Sequence, residues 1–243
     1  MSLKKLTYAQ KHCLKKMLKI MHSKSMIHPD ARIGVAVSGG VDSFVMLKLF
    51  TLAQKKLPFS FEIMVLHINP GFDPQNHIPL VEWVKKNGIS AHIEVGDMGI
   101  KAHSLENAKK SPCFFCTWRR RKRLFELVKK YNLTHLAFGH NGDDLINTFF
   151  MNLFYAGRIE GMSPKESFFN GEFELIRPLI AIEKNWIKKA ASEWQLPVWE
   201  NPCPSAKSTK RSATRIWLED IWKKNKKIKK NIYSAIYRFA LSI

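Results

Sequence analysis

The sequence predicts an α/β fold built on one doubly wound parallel sheet. Short runs rich in Val, Ile and Phe alternate with segments whose apolar residues recur at helical spacing. Glycine-bearing turns fall where the expected strands pass into the expected helices. At 243 residues and 45% hydrophobic, the chain is long enough to bury one full core.

Residues 1–29 read as a basic amphipathic helix, with Leu3, Leu6, Leu14, Met17, Leu18 and Met21 on one face and lysines throughout. The lysines interrupt any leader-like apolar run, and no segment approaches a membrane span, so the expectation is a cytoplasmic protein without membrane contact. Strand 32–37 follows, then the Gly39-Gly40 turn and helix 44–52. Strand 61–68, helix 79–86, strand 91–95, a long loop, helix 118–131, strand 135–138 and helix 145–154 continue the alternation. Strand 173–176, helix 183–194, a loop through Cys203 and a Lys-rich helical tail complete it. No internal repeat or low-complexity linker appears. The expected organisation is helix 1–29, a catalytic domain 30–204 and a basic helical extension 205–243. In open α/β sheets ligands lie beyond the carboxyl ends of the strands, so loops 38–43, 67–71 and 139–144 are predicted to converge on one crevice.

Forty Lys and Arg against twenty Asp and Glu leave a formal charge of +20. That excess attracts polyanions over long range, which points to nucleic acid; a well-solvated Lys-rich surface is the competing reading. Ser38-Gly39-Gly40-Val41-Asp42-Ser43 follows a strand and opens a helix. Its glycines let the backbone curl, and its free N–H groups, with the helix dipole and the two serine hydroxyls, face an anion. A Walker A loop carries Lys at the helix start, and Val41, Asp42 and Ser43 offer none.

Four cysteines in a chain without an export signal point to reduced thiols. Cys113 and Cys116 form a CxxC ahead of the basic run Arg119-Arg120-Arg121-Lys122-Arg123; zinc, a redox dithiol and iron–sulfur ligation all use this spacing. Cys203, far downstream in Asn201-Pro202-Cys203-Pro204, adds a third thiol with no evident fourth. Cys13 reads as an incidental half-buried thiol. His140 reads as structural or substrate-orienting, and the His67 side chain as strand-end packing. Asp143 and Asp144 serve either chemistry or the cap of the next helix. Phe149, Phe150, Phe154 and Tyr155 are expected mostly in the core, and the lysines of 223–230 are expected to meet phosphate.

The SGGxDS string resembles the loop of the PP-loop ATP pyrophosphatases. Further matches resemble the tRNA-thiolating branch of that family: Pro112-Cys113-x-x-Cys116 with the following arginines, Gly139-His140-Asn141-Gly142-Asp143-Asp144, Asn152-x-Phe154-Tyr155-x-Gly157, Gly161-Met162-x-Pro164, Ile176-Arg177-Pro178-Leu179 and Cys203. The resemblance covers residues 33 to about 215, most of the chain. The resemblance implies that Ser38, Gly39, Gly40, Asp42 and Ser43 hold the pyrophosphate of ATP, that Asp42 orders Mg²⁺, and that the backbone at His67 and Ile68 meets adenine, with Gly139 closing the pocket. It implies a 4Fe-4S cluster on Cys113, Cys116 and Cys203, places Asp143 and Asp144 beside the reacting base or the magnesium, and puts Arg120 where phosphate charge develops. A tRNA base is then adenylated and its carbonyl oxygen replaced by sulfur from sulfide or a sulfur-donor protein; family members are commonly homodimers.

Arg120 stands where the thiouridine-forming members carry Lys, and their terminal zinc-finger cysteines are absent, which favours the thiocytidine-forming side and position 32 of tRNA. The cysteine that usually follows the third one there is also absent, since residues 204–208 contain none. Two other readings compete. One is a PP-loop enzyme adenylating another tRNA base or a small molecule, with zinc or redox chemistry at CxxC. The other is a non-catalytic RNA-binding protein that holds ATP.

Overall fold

Ala31–Ala36 (β1) lies inside a six-stranded sheet, because Ile33 and Val35 are buried and both edges of the strand are paired. In the computed structural model, which describes residues 6–108, 110–200, 202–205 and 209–241, Phe61–Asn69 (β2) and Ser90–Val95 (β3) extend the sheet on one side. His135–Ala137 (β4), Phe173–Ile176 (β6) and Lys165–Phe168 (β5) extend it on the other, giving the order β3-β2-β1-β4-β6-β5. All pairings are parallel except β5 with β6. This is the doubly wound architecture expected. The order reverses at β1 and β4, so the crevice of such a sheet opens where loops 38–43 and 139–144 leave it.

Tyr8–Ser23 (α1), Val41–Ala53 (α2) and Lys184–Glu193 (α7) pack on one another over one face. Their shared core includes Met17, Phe44, Phe50 and Ile187, joined by Leu80 and Val84 of Ile78–Lys86 (α3). Met98–Ala102 (α4) and Pro112–Lys130 (α5) cover the other face, where Leu124, Leu127 and Val128 meet Leu66, Ile68 and Leu136. Gly142–Ala156 (α6), Lys210–Lys224 (α8) and Lys226–Leu241 (α9) form a three-helix layer beside the sheet. Among the described residues no helix is long and apolar enough to cross a membrane.

Several elements depart from the expected outline. Helix α5 begins at Pro112, six residues before the predicted start. Ser111 caps it by accepting from the Phe114 N–H, and proline at the first helical position needs no N–H partner. Cys113 and Cys116 therefore sit inside the helix's first turns. The expected loop after β3 contains α4 and a short 3₁₀ turn, Leu105–Asn107. Strand β5 was not predicted, and the Lys-rich tail divides into two helices at Asn225. Phe154 and Tyr155 are about half exposed, because the last turn of α6 runs past the core. Cys13 is fully buried, and burial pushes its thiol up to about 12. The predicted helix start with Leu3, Asn201, and residues 206–208 after Cys203 lie outside the described residues.

Candidate active site at the carboxyl end of the sheet

The loop after β1 is shaped from within. Gly39 adopts φ +90°, a conformation that L side chains rarely take. Ser43 donates its hydroxyl to Gly40 O (2.8 Å) and accepts from the Ser38 N–H (3.1 Å), curling the loop back onto the start of α2. Trp199 holds it from outside: its backbone N–H donates to Gly39 O (3.1 Å), and its indole packs edge-on against Phe44 and His67. A Cβ on Gly39 would overlap that indole, 2.6 Å from Nε1 and closer to Cε2. Across the crevice, a Cβ on Gly139 would lie 3.1 Å from the Ser43 N, so glycine lets the end of β4 approach α2.

These loops enclose a cavity of about 230 Å³ lined by Ser38, Asp42, Ser43, Ile68, Arg120, Gly139, His140 and Asp144, with Leu66, Leu124 and Phe138 as apolar walls. The predicted convergence is therefore present. Gly39, Gly40, His67 and Asp143 are not in its lining. The His67 side chain lies within the fold, donating Nδ1–H to Val37 O (2.6 Å), and burial holds it neutral with a pKa of about 4. His140 is also driven towards the neutral form by burial, against the pull of Asp144, and its Nδ1 has no hydrogen-bond partner among the described residues.

The acids are already engaged. Asn141 and Asp144 form a reciprocal cap on α6: the Asp144 carboxylate accepts from the Asn141 N–H (3.0 Å), and the Asn141 amide oxygen from the Asp144 N–H (3.1 Å). Asp144 also pairs with Arg211 at 2.6 Å. Asp143 accepts from the Lys184 N–H (2.6 Å), tying α6 to α7. Asp42 accepts from the Asn141 amide (2.9 Å) and pairs with the Lys184 ammonium. Burial still raises the Asp42 carboxyl above its usual range, with Lys184 opposing and Asp144 reinforcing. Asn141, Lys184 and Trp199 were not singled out from sequence as site residues. Asn141 lies within the Gly139-to-Asp144 motif, whereas Lys184 and Trp199 carry no local signal, since tertiary contacts alone bring them here.

Helix α5 supplies the opposite wall. Cys113, Cys116 and Arg120 recur at spacings of three and four, which puts them on one stripe. Arg120 reaches the cavity. Burial raises both thiols; a Cys203 charge raises them further, and Arg120 opposes at Cys116. Cys203 thus shares their neighbourhood, with Cys113 Sγ 3.9 Å from Ser205 O and His103 Nε2 3.9 Å from Cys203 Sγ. Among the described residues no three His, Cys, Asp or Glu side chains close tightly enough around one point to hold a single metal ion. Two thiols of α5, with a third from the segment at Cys203 in their neighbourhood, are donors of the kind that iron–sulfur clusters use. Elsewhere on α5, Arg123 is bound by Glu94 (2.7 Å) and Glu126 (2.9 Å), while Arg119, Arg121 and Lys122 are exposed.

A family profile described as a PP-loop domain matches residues 9–219. Curated relatives include the tRNA-cytidine(32) 2-sulfurtransferase of Bordetella pertussis, 31% identical over 218 residues, covering 88% of this chain and 67% of the relative. The tRNA-cytidine(32) 2-sulfurtransferase 2 of Francisella tularensis subsp. holarctica is 31% identical over 237 residues, covering 95% and 85%. Among solved structures, the U34-tRNA thiolase NcsA from Methanococcus maripaludis, solved with its [4Fe-4S] cluster, superposes with a TM-score of 0.75 at 22% identity, covering 98% of this chain and 85% of that one.

Proposed function

Because the chain belongs to the PP-loop domain family, we propose that it is an ATP-dependent tRNA sulfurtransferase that converts cytidine 32 to 2-thiocytidine. The observation that carries this reading is the joint presentation, by one stripe of α5, of two cysteines near Cys203 and of Arg120 in the cavity beside the phosphate loop. An adenylating site and a sulfur-delivering site are thereby neighbours. The relatives, named for sulfur transfer to cytidine 32, supply the target.

In this reading Ser38, Gly39, Gly40 and Ser43 grip the pyrophosphate, and Ile68 and Gly139 border the adenosine. Asp42 would hold Mg²⁺, a hard cation suited to carboxylate and phosphate oxygens. Lys184 neutralises Asp42 until the metal nucleotide arrives. Arg120, always charged, stabilises the charge that develops as the base oxygen attacks the α-phosphorus. Asp144 and Asp143 hold the start of α6 and its arginine and lysine partners in register beside that reaction. Cys113, Cys116 and Cys203 would ligate a 4Fe-4S cluster, which when bound supplies the site from which sulfide is delivered to the activated carbon.

Residues 30–204 form the catalytic unit, 1–29 its amphipathic brace and 205–243 its basic extension. The protein acts in the cytoplasm as a homodimer, taking sulfide directly or from a donor protein. Nucleoside mass spectrometry of tRNA incubated with anaerobically reconstituted protein, Mg·ATP and sulfide tests the proposal. The expected product is 2-thiocytidine at position 32 with one AMP released per base. Absence of any thionucleoside alongside full cluster loading would overturn it.

A further inference from the structure

Immediately beside the cysteines, α5 exposes two large aromatic side chains that its own core does not use. Phe114 is 55% exposed and Trp118 47%. They stand four residues apart, one turn above the other on one helix face, about 100° around from the Cys113 stripe. The Lys110 ammonium lies 5.4 Å from the Phe114 ring and 5.1 Å from the Trp118 ring, and the Arg119 guanidinium lies 6.0 Å from Trp118. Arg121 and Lys122 are exposed on the same helix, and residues 113–125 contain no acid. Exposed aromatics mark contact surfaces, and adjacent cations select the class of partner.

We propose that Phe114 and Trp118 form a stacking platform for unpaired RNA bases, with Lys110 and Arg119 holding the flanking phosphates. This deepens the reading that the substrate is tRNA, and rests on it. An enzyme that acts at C2 of a loop base must take that base from its neighbours, and the neighbours then need a surface. Aromatic faces supply one without regard to base identity, because every base has a π-face. A protein partner fits less well: nothing acidic on this stretch of helix would answer a mixed-charge interface, whereas the cations match a phosphate backbone.

The test measures binding of a 17-nucleotide anticodon stem-loop, and of a fully paired duplex of the same length, by fluorescence anisotropy with reconstituted protein. The variants are Phe114→Ala, Trp118→Ala, Trp118→Phe and Arg119→Ala. Phe114→Ala and Trp118→Ala are each expected to weaken stem-loop binding by about 5- to 150-fold, the range for losing one stacked base. The duplex is expected to bind these two unchanged, and Trp118→Phe to retain most of the affinity. The salt dependence of Phe114→Ala and Trp118→Ala should match that of the wild type, because no phosphate contact is removed, whereas Arg119→Ala should flatten it. Affinity for an ATP analogue and absorbance near 400 nm, unchanged in all variants, show that fold and cluster survive. Equal binding by wild type, Phe114→Ala and Trp118→Ala overturns the platform. So does an equal loss on loop and duplex, or a dimer that dissociates on Phe114→Ala in light scattering. A wild type that binds no RNA at all overturns the tRNA reading itself.

Discussion

Gly39→Ala isolates the contact between the phosphate loop and Trp199. The substitution places an L residue at φ +90°, which costs about 1–2 kcal/mol. Its methyl also falls inside the indole, so the ring must leave its place against Phe44 and His67. Losing two aromatic contacts costs roughly 1–3 kcal/mol more. The sum is about 2–5 kcal/mol. With each kilocalorie worth about 2–4 °C in a chain of this size, the melting temperature should fall by roughly 10 °C. The diagnostic measurement is a double-mutant cycle with Trp199→Ala, read by urea denaturation and circular dichroism. Once the indole is gone, only the backbone cost of Gly39→Ala remains, so the two substitutions should couple by about 1–3 kcal/mol. Additivity within about 0.5 kcal/mol would refute this, showing that the ring does not sit on the loop.

Four further outcomes are expected. Lys184→Ala leaves Asp42 buried without its cation. A carboxyl whose folded pKa is raised loses stability as pH climbs from its ordinary value of 3.8 through the folded value, so urea midpoints of this variant should fall over that window more steeply than those of wild type, and Asp42→Asn should remove the effect. His67, held near 4 against an ordinary 6.5, acts with the opposite sign. The unfolded chain takes the proton first, so stability is lost as pH drops from 6.5 towards 4, by on the order of 3 kcal/mol, and the slope should shrink in His67→Gln. Cys113→Ser and Cys203→Ser should each abolish absorbance near 400 nm after reconstitution while ATP-analogue affinity stays intact. Arg120→Lys should slow AMP release about 100-fold at unchanged cluster content, because an ammonium cannot reproduce the guanidinium fork.

Most of the sheet was legible because buried parallel strands are written as continuous apolar runs between glycine turns, as in 32–37 and 61–68. β5 was not, since Lys165-Glu166-Ser167-Phe168 is a short polar edge strand whose pairing with β6 is decided across the chain. The early start of α5 is written in Ser111-Pro112, a cap followed by proline at the first helical position, six residues ahead of the apolar spacing that marks helix 118–131. Loop 38–43 and the three cysteines stand out in the sequence because their residue types and spacing carry chemical meaning, and the structure puts Ser38, Asp42 and Ser43 in the lining of the cavity. Lys184 and Trp199 reach the site only through the packing of α7 and the segment after it, and an isolated Lys or Trp announces no such destination. Phe154 and Tyr155 follow helical spacing, yet spacing says which face a residue shares and not how far the core extends beneath it. The Lys-rich tail is mixed in the same way: Lys229 is committed to Glu183 at 3.2 Å and lies over Trp222 and Tyr233, while Lys224, Lys227 and Lys230 stay exposed.

The single stripe of α5 that carries Cys113, Cys116 and Arg120 makes this helix a gauge. A helix advances about 1.5 Å per residue, so the first cysteine and the arginine are separated by about 10 Å along its axis, and any one-residue insertion or deletion between them would turn one against the other by about 100°. Point substitutions can tune either end, but a change of length cannot be absorbed. Among natural variants of this chain, gaps should therefore gather in the surface connections and avoid residues 113–120, and an engineered insertion of four residues, just over one full turn, should be better tolerated there than an insertion of one or two.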